Sequence, residues 1–171
     1  MNSNILLAVD AAAGQPHPDA SAAVQMAREL VRDSADHVVV LYVREFSFLR
    51  IARMVADHGG TAGRHAVDGI VARLREAGVH ASGLIREAEA GHVARTILDA
   101  AHDVDARVII VGSGSPARLP GLVLGNVATH VLHQATLPVL IVPAQGWPPT
   151  VTTGATPTPA GSTSTAISAS C

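Results

Sequence analysis

The residues best suited to chemistry form a glycine-bearing loop between the apolar run 107–111 and the helix predicted from Asn126. Gly112 and Gly125 stand 13 residues apart, and Ser115 follows the first of them. Glycines in such a loop allow backbone N–H groups to converge on phosphate oxygens and permit positive φ. Asn126 follows Gly125 and is a good N-cap for the helix predicted there, whose positive end attracts anions. A loop of this composition that leads into a helix start is suited to holding a phosphate group.

Other chemistries find little support in the residue types. The chain has no lysine, which excludes a Walker lysine, a kinase strand lysine and Schiff-base catalysis. His130 and His133 lie three apart on one predicted helix, but no third ligand or supporting carboxylate stands in register with them. Ser113 lacks the G-x-S-x-G context of a nucleophile elbow. We therefore predict no catalytic residue and no metal site.

Charge and hydropathy restrict the partners. The formal net charge is −2, the arginines are scattered, and aromatic residues make up 2% of the chain. A nucleic-acid binder usually carries a basic stripe and stacking aromatics, so nucleic acid is not expected. The first residues lack a basic signal region, and no apolar run reaches the length of a membrane span. The sequence predicts a cytoplasmic protein with no membrane contact.

Short apolar runs alternate with segments of helical period along residues 4–143. This alternation predicts an α/β fold with a parallel sheet and helices on both faces. Residues 145–171 are rich in Thr, Ser, Ala, Pro and Gly and have no hydrophobic period, so residues 1–144 are predicted to form one domain and 145–171 a disordered tail. The predicted strands are 4–9, 38–43, 79–85, 107–111 and 139–142. The predicted helices are a segment after Asp19, residues 48–55, a segment from Val67 to Gly78, a segment after Gly91, and residues 126–134. A break at Gly59-Gly60 is predicted between the second and third of these helices.

Four segments together resemble the universal stress protein family across roughly residues 4–143. They are the opening strand Asn4 to Asp10, the strand Val39 to Val43, the segment from Gly91 to Ser113, and the segment from Gly121 to Pro143. The resemblance implies an open five-stranded parallel sheet in the order 3-2-1-4-5, of the adenine nucleotide alpha hydrolase-like type.

The same resemblance implies a ligand and its contacts. The ligand is an adenine nucleotide, ATP or else ADP or AMP, bound where the strand order reverses. The residues implied near adenine and ribose are Ala8, Asp10 and Val43, and those implied near the phosphates are Gly112, Ser115, Gly125, Asn126 and Val127.

The chain departs from the family's G-x2-G-x9-G-(Ser/Thr) pattern at three positions. Ser115 replaces the middle glycine, Asn126 replaces the hydroxyl residue, and Ala128 stands where many nucleotide binders have a second hydroxyl. Gly114, one residue early, is able to supply the turn instead. Each lost hydrogen bond to a charged phosphate is worth about 1.5–3 kcal/mol, so two losses weaken binding roughly a hundredfold or more.

Three functions remain open from the sequence. The first is a stress-response regulatory module that binds an adenine nucleotide. The second is a nucleotide-free homodimer that pairs through the strand Val139 to Val142 and acts through partner contacts. The third is a weak ATPase, for which Asp10 is the only obvious acid near the phosphates. Asp10 and the loop glycines also suit purely structural roles, in strand termination and tight turns.

Overall fold

The computed structural model of the chain describes residues 3–12, 15–16, 18–32, 34–46, 58–114 and 124–143. These residues form strands and helices that alternate along most of the chain. In order they are β1 (Asn4–Val9), β2 (Ala11–Ala12), β3 (Gln15–Pro16), α1 (Pro18–Val31), β4 (His37–Phe46), α2 (His58–Glu76), β5 (Ala81–Glu89), α3 (Val93–Asp103), β6 (Ala106–Gly112), α4 (Asn126–Gln134) and β7 (Val139–Val142).

The main sheet has five parallel strands in the order β5-β4-β1-β6-β7. Numbered by their succession along the chain, these strands have the order 3-2-1-4-5, which confirms the predicted fold. The predicted bounds of β1, α4 and β7 are also confirmed. The segment after Asp10, for which no strand was predicted, contains the short antiparallel pair β2–β3.

Helices cover both faces of the sheet. Side chains alternate between the faces of a strand, so Ile5 and Leu7 pack beneath α1 and α2, whereas Leu6 packs beneath α3 and α4. All three side chains are fully buried. This burial on both faces explains why β1 is continuously apolar instead of alternating.

The predicted break at Gly59-Gly60 is wrong, because α2 begins at His58 and runs through both glycines. Both glycines lie in the first turn, where the cost of about 1 kcal/mol that glycine has in a helix interior does not fully apply, and tertiary packing holds the rest of the helix. The packing comes from an apolar stripe on α2, which lies against β4 and β5. Its buried members are Ala66, Val67, Ile70, Val71 and Leu74.

Strands β4 and β5 extend beyond their predicted ends. Their ladder continues to the pair Phe46–Glu89, past the last predicted positions. Arg44 and Glu87 stand directly opposite each other and form an ion pair. Polar cross-strand pairs stabilise a sheet without leaving an apolar period in the sequence, so the hydrophobic pattern stops short of the true strand ends.

Two sequence predictions fall outside the described residues, namely the helix over 48–55 and the tail 145–171. Among the helices that the structure describes, none is long and apolar enough to cross a membrane.

Candidate functional site

The carboxyl ends of β1, β4 and β6 lie side by side in the middle of the sheet. Ala8 pairs with Leu41 of β4 on one side and with Val111 of β6 on the other. The chain proceeds from β4 outward to β5 and from β6 outward to β7, so the strand order reverses at β1. A crevice at such a reversal is the usual ligand site of an open α/β sheet.

Ser113 joins the end of β6 to two neighbouring elements. Its N–H donates to the carbonyl of Val142 in β7 at 2.8 Å, and its own carbonyl accepts from the N–H of Gly125 at 2.7 Å. The residue is buried. These backbone bonds fix the start of α4 against the end of β6, so the two sides of the glycine-bearing loop are held together.

Gly114 and Gly125 make close backbone contact inside this junction. Gly114 has φ +64°, a left-handed conformation that glycine adopts without steric cost. A Cβ on Gly125 would lie 3.2 Å from the carbonyl carbon and oxygen of Gly114 and from the carbonyl oxygen of Ser113. Gly114 therefore supplies the turn, as the sequence allowed, and Gly125 leaves room for it.

The start of α4 differs from the prediction in one respect. Gly125 is the N-cap, with φ −64° and ψ 159°, and Asn126 is the first helical residue, so the predicted N-cap role of Asn126 is wrong. Among the residues that the structure describes, no side chain caps this helix, and its first turn contains no acidic residue. The N–H groups at the start of a helix lack intrahelical partners. Since the N–H of Gly125 is bound to Ser113, the open donors begin at Asn126.

The remaining predicted contacts lie at the same edge. Ala8 and Val43 are half-buried and belong to the face that packs against α3 and α4. Asp10 is exposed and directly follows β1, one residue beyond the Val9–Tyr42 pair. Val127 is 40% exposed in the first turn of α4. Gly112 ends β6, which completes the described part of the predicted set.

Ser115 lies outside the described residues, so its contribution stays a prediction. Ala128 lies on α4 and is buried against the core, so this departure from the family pattern sits on the packed face of the helix. Sequence reasoning considered Ser113 only as a nucleophile and missed its structural role, which its backbone N–H and carbonyl perform. No side-chain signal marks such a residue, and only its position just after a buried strand could have indicated it.

The histidine pair on α4 is accounted for in part by a local bond. His130 donates from Nδ1 to the carbonyl of Asn126 at 2.7 Å, one helical turn earlier. Within the described ranges no group of three or more His, Cys, Asp or Glu side chains is placed to hold a metal ion.

Two groups with displaced pKa values lie at the opposite, amino edge of the sheet. The backbone N–H of Ser3 lowers the pKa of the Asp36 carboxyl, and Ser34 and Arg107 lower it further against the effect of burial. Burial lowers the pKa of His37, and the nearby His80 and Arg75 add to this. Both groups lie at the other end of the strands from the crevice, so they do not belong to the candidate site.

Comparison with known proteins decides the family. The family model described as the universal stress protein family matches residues 1–143. The chain belongs to the universal stress protein family. A search of curated protein sequences gave no significant match.

Solved structures of universal stress proteins share the fold. One from Archaeoglobus fulgidus is 20% identical with a TM-score of 0.67, and the alignment covers 83% of this chain and 99% of that one. Another from Archaeoglobus fulgidus, in complex with dAMP, is 22% identical with a TM-score of 0.60 and coverage of 82% and 97%. A family protein from Arabidopsis thaliana with AMP bound is 21% identical with a TM-score of 0.63 and coverage of 82% and 91%. At these identities the likeness establishes the shared fold.

Proposed function

We propose that this universal stress protein binds an adenine nucleotide at the carboxyl edge of its sheet and acts as a cytoplasmic regulatory module in a stress response. The main support is the junction between Gly114 and Gly125, which holds the start of α4 beside the end of β6 at a point where no described side chain caps the helix. Structures of similar fold with bound AMP and dAMP add to this support.

The residues divide by the part of the nucleotide that they suit. Ala8 and Val43 offer small apolar surface for the adenine, and the exposed carboxylate of Asp10 is able to accept hydrogen bonds from ribose hydroxyls. The phosphates take the positive end of α4, where backbone N–H groups remain open. The residues proposed there are Gly112, Ser115, Gly125, Asn126 and Val127.

The departures from the family pattern predict a weakened phosphate site. The N–H of Gly125 is already bound to Ser113, and Ala128 is buried without a hydroxyl. Nucleotide affinity therefore depends on Asn126, Val127 and the loop that includes Ser115. The candidate ligands are ATP, ADP and AMP. We propose binding and not turnover as the function, because the chain has no lysine to stabilise a transferred phosphate.

Calorimetric titration with ATP, ADP and AMP tests this proposal. We expect saturable heat at sub-millimolar nucleotide for the wild-type protein. Gly125→Val should lower affinity at least about tenfold, because its side chain would push Gly114 and Ser113 away from the start of α4.

Gly69→Ala is the matched control, since a Cβ at that position on α2 meets nothing within 4 Å. This variant should bind like the wild type. Circular dichroism checks that both variants stay folded. Absence of heat with all three nucleotides, from folded wild-type protein freed of bound small molecules, would contradict the proposal.

A second function, homodimerisation through β7, is favoured by the open edge of the sheet. Within the described sheet β7 has β6 on one side only. The carbonyls of Pro138 and Val142 accept from β6, so the intervening positions Val139 and Ile141 turn their backbone groups toward the open edge. Both side chains are half-buried. An apolar edge strand of this kind is suited to pairing with a second copy.

Sedimentation at micromolar concentration tests the dimer. We expect a dimer for the wild type, and a monomer for Ile141→Pro, because proline removes an outward N–H without removing a bond to β6. Ile141→Val retains the N–H and should remain dimeric. A wild-type monomer would contradict this function while leaving nucleotide binding intact.

A further inference from the structure

A polar cavity of about 310 Å³ lies at the amino edge of the sheet, where α1 and α2 end and β4 and β5 begin. It is at the opposite end of the strands from the candidate nucleotide site. Val31 and Val79 line the cavity together with the charged residues Arg28, Glu29, Arg32 and Asp36. The volume is at the lower end of the range for small-molecule sites.

Both acidic side chains of the cavity are already engaged. Glu29 forms an ion pair with Arg32 at 2.5 Å. Asp36 accepts from the backbone N–H of Ser3 at 3.0 Å and from the guanidinium of Arg107 at 2.7 and 3.0 Å. Neither carboxylate is therefore available to neutralise another cation at the cavity.

Arg28 is the other arginine that lines the cavity, beside the paired Arg32. It is exposed in the last turn of α1 and lines the cavity, and no ion pair or hydrogen bond joins its guanidinium to any described residue. His80 also lines the cavity. A guanidinium presents parallel N–H donors that match the two oxygens of a carboxylate.

The ends of two helices limit what kind of anion fits. The last carbonyl groups of α1 and α2 carry the negative ends of the helix dipoles. Several of them already accept one backbone N–H, among them Glu29, Val31 and Arg75, and each of these oxygens keeps a second lone pair. They disfavour a dianion such as phosphate but accept hydrogen bonds from hydroxyl or ammonium groups. Gly78, with φ +80° and no side chain, closes α2 at this mouth and leaves its backbone accessible.

We propose that this cavity binds a small carboxylic acid that also carries hydroxyl or ammonium groups. The carboxylate pairs with Arg28, and the donor groups meet the helix-terminal carbonyls. This site is separate from the nucleotide site, so a negative result for one proposal does not contradict the other.

Amide chemical-shift titration of the full chain with three matched probes tests the proposal. Glycerate carries a carboxylate and two hydroxyls, propionate lacks the hydroxyls, and glycerol lacks the carboxylate. We expect glycerate to shift the amides of residues 28–36 and 77–80. Propionate, glycerol and inorganic phosphate should each bind at least about tenfold more weakly, since each lacks one favourable contact or adds charge.

Arg28→Gln should weaken glycerate at least about tenfold. Arg64→Gln, an exposed arginine on α2 that does not line the cavity, should leave the titration unchanged. Both variants alter exposed residues and are expected to fold. The proposal is overturned if the shifts map elsewhere, if phosphate binds as tightly as glycerate, or if Arg28→Gln binds like Arg64→Gln.

Discussion

Gly63→Ala is expected to destabilise the protein by about 1–3 kcal/mol, the usual cost of overpacking a close contact. A Cβ at Gly63 would lie 2.0, 2.3 and 2.7 Å from three ring atoms of Tyr42, far inside van der Waals contact. The ring packs against the core beneath α1 and α2, so it cannot move aside without losing contacts there. Chemical denaturation measures the change in the free energy of unfolding.

Gly69→Ala is the matched control on the same helix. A Cβ there meets nothing within 4 Å, so only the helix preference of alanine acts, and it should stabilise the protein by about 0.8–1 kcal/mol. The double variant Gly63→Ala, Tyr42→Ala lacks the ring. Relative to the single variant Tyr42→Ala, the alanine at position 63 should therefore destabilise the protein less than it does in the wild type. Equal effects of the two glycine substitutions would show that Tyr42 does not limit the approach of α2.

Asp36→Asn is expected to cost about 1.5–3 kcal/mol at neutral pH, the range for losing hydrogen bonds to a charged group. The buried carboxylate ties Ser3, before β1, to Arg107 at the start of β6. An asparagine amide retains one acceptor oxygen, but its NH2 group takes the place of the other oxygen. Two sets of N–H donors, from the amide and from Arg107, would then face each other. The free energy of unfolding at several pH values measures the effect.

The pH dependence has a definite sign. The pKa of Asp36 is lowered in the folded protein, chiefly by the Ser3 N–H, so folding favours the ionised form. Its stabilisation is complete above the ordinary carboxyl value of about 3.9 and is lost as the pH falls through the lower, folded value. The difference between wild type and Asp36→Asn should therefore shrink as the pH is lowered from 6 to 3.

Asp99→Asn is the control for this pair of experiments. Asp99 is an exposed carboxylate that lies 3.8 Å from Arg95 on the surface of α3. Exposed pairs of this kind contribute at most about 1 kcal/mol. A cost for Asp99→Asn as large as that for Asp36→Asn would show that burial and the Ser3 bond do not make Asp36 special.

The sequence was sufficient for the sheet because its signal is local. The side chains of Ile5, Leu6 and Leu7 are apolar on both faces of β1. A strand of that kind is typical of a parallel sheet with helices packed on both faces. Helix α4 was also placed correctly, since Ala128 and Val131 recur on one face. The ends of β4 and β5 were missed because they are held by pairs such as Arg44–Glu87, which join residues distant in the chain.

The glycine-bearing loop shows the same division within the candidate site. The glycines at Gly112 and Gly125 indicated that a loop and a helix start would follow β6, and the resemblance carried by four segments together led to the correct family. Tertiary structure decided that Gly125 is the N-cap instead of Asn126, and that Gly114 takes the left-handed turn. The bond from Gly125 to Ser113 spans the loop and leaves no trace in side-chain identity. Periodicity and glycine spacing are local properties of a chain, whereas caps, close approaches and the choice of free N–H groups depend on which backbones the fold brings together.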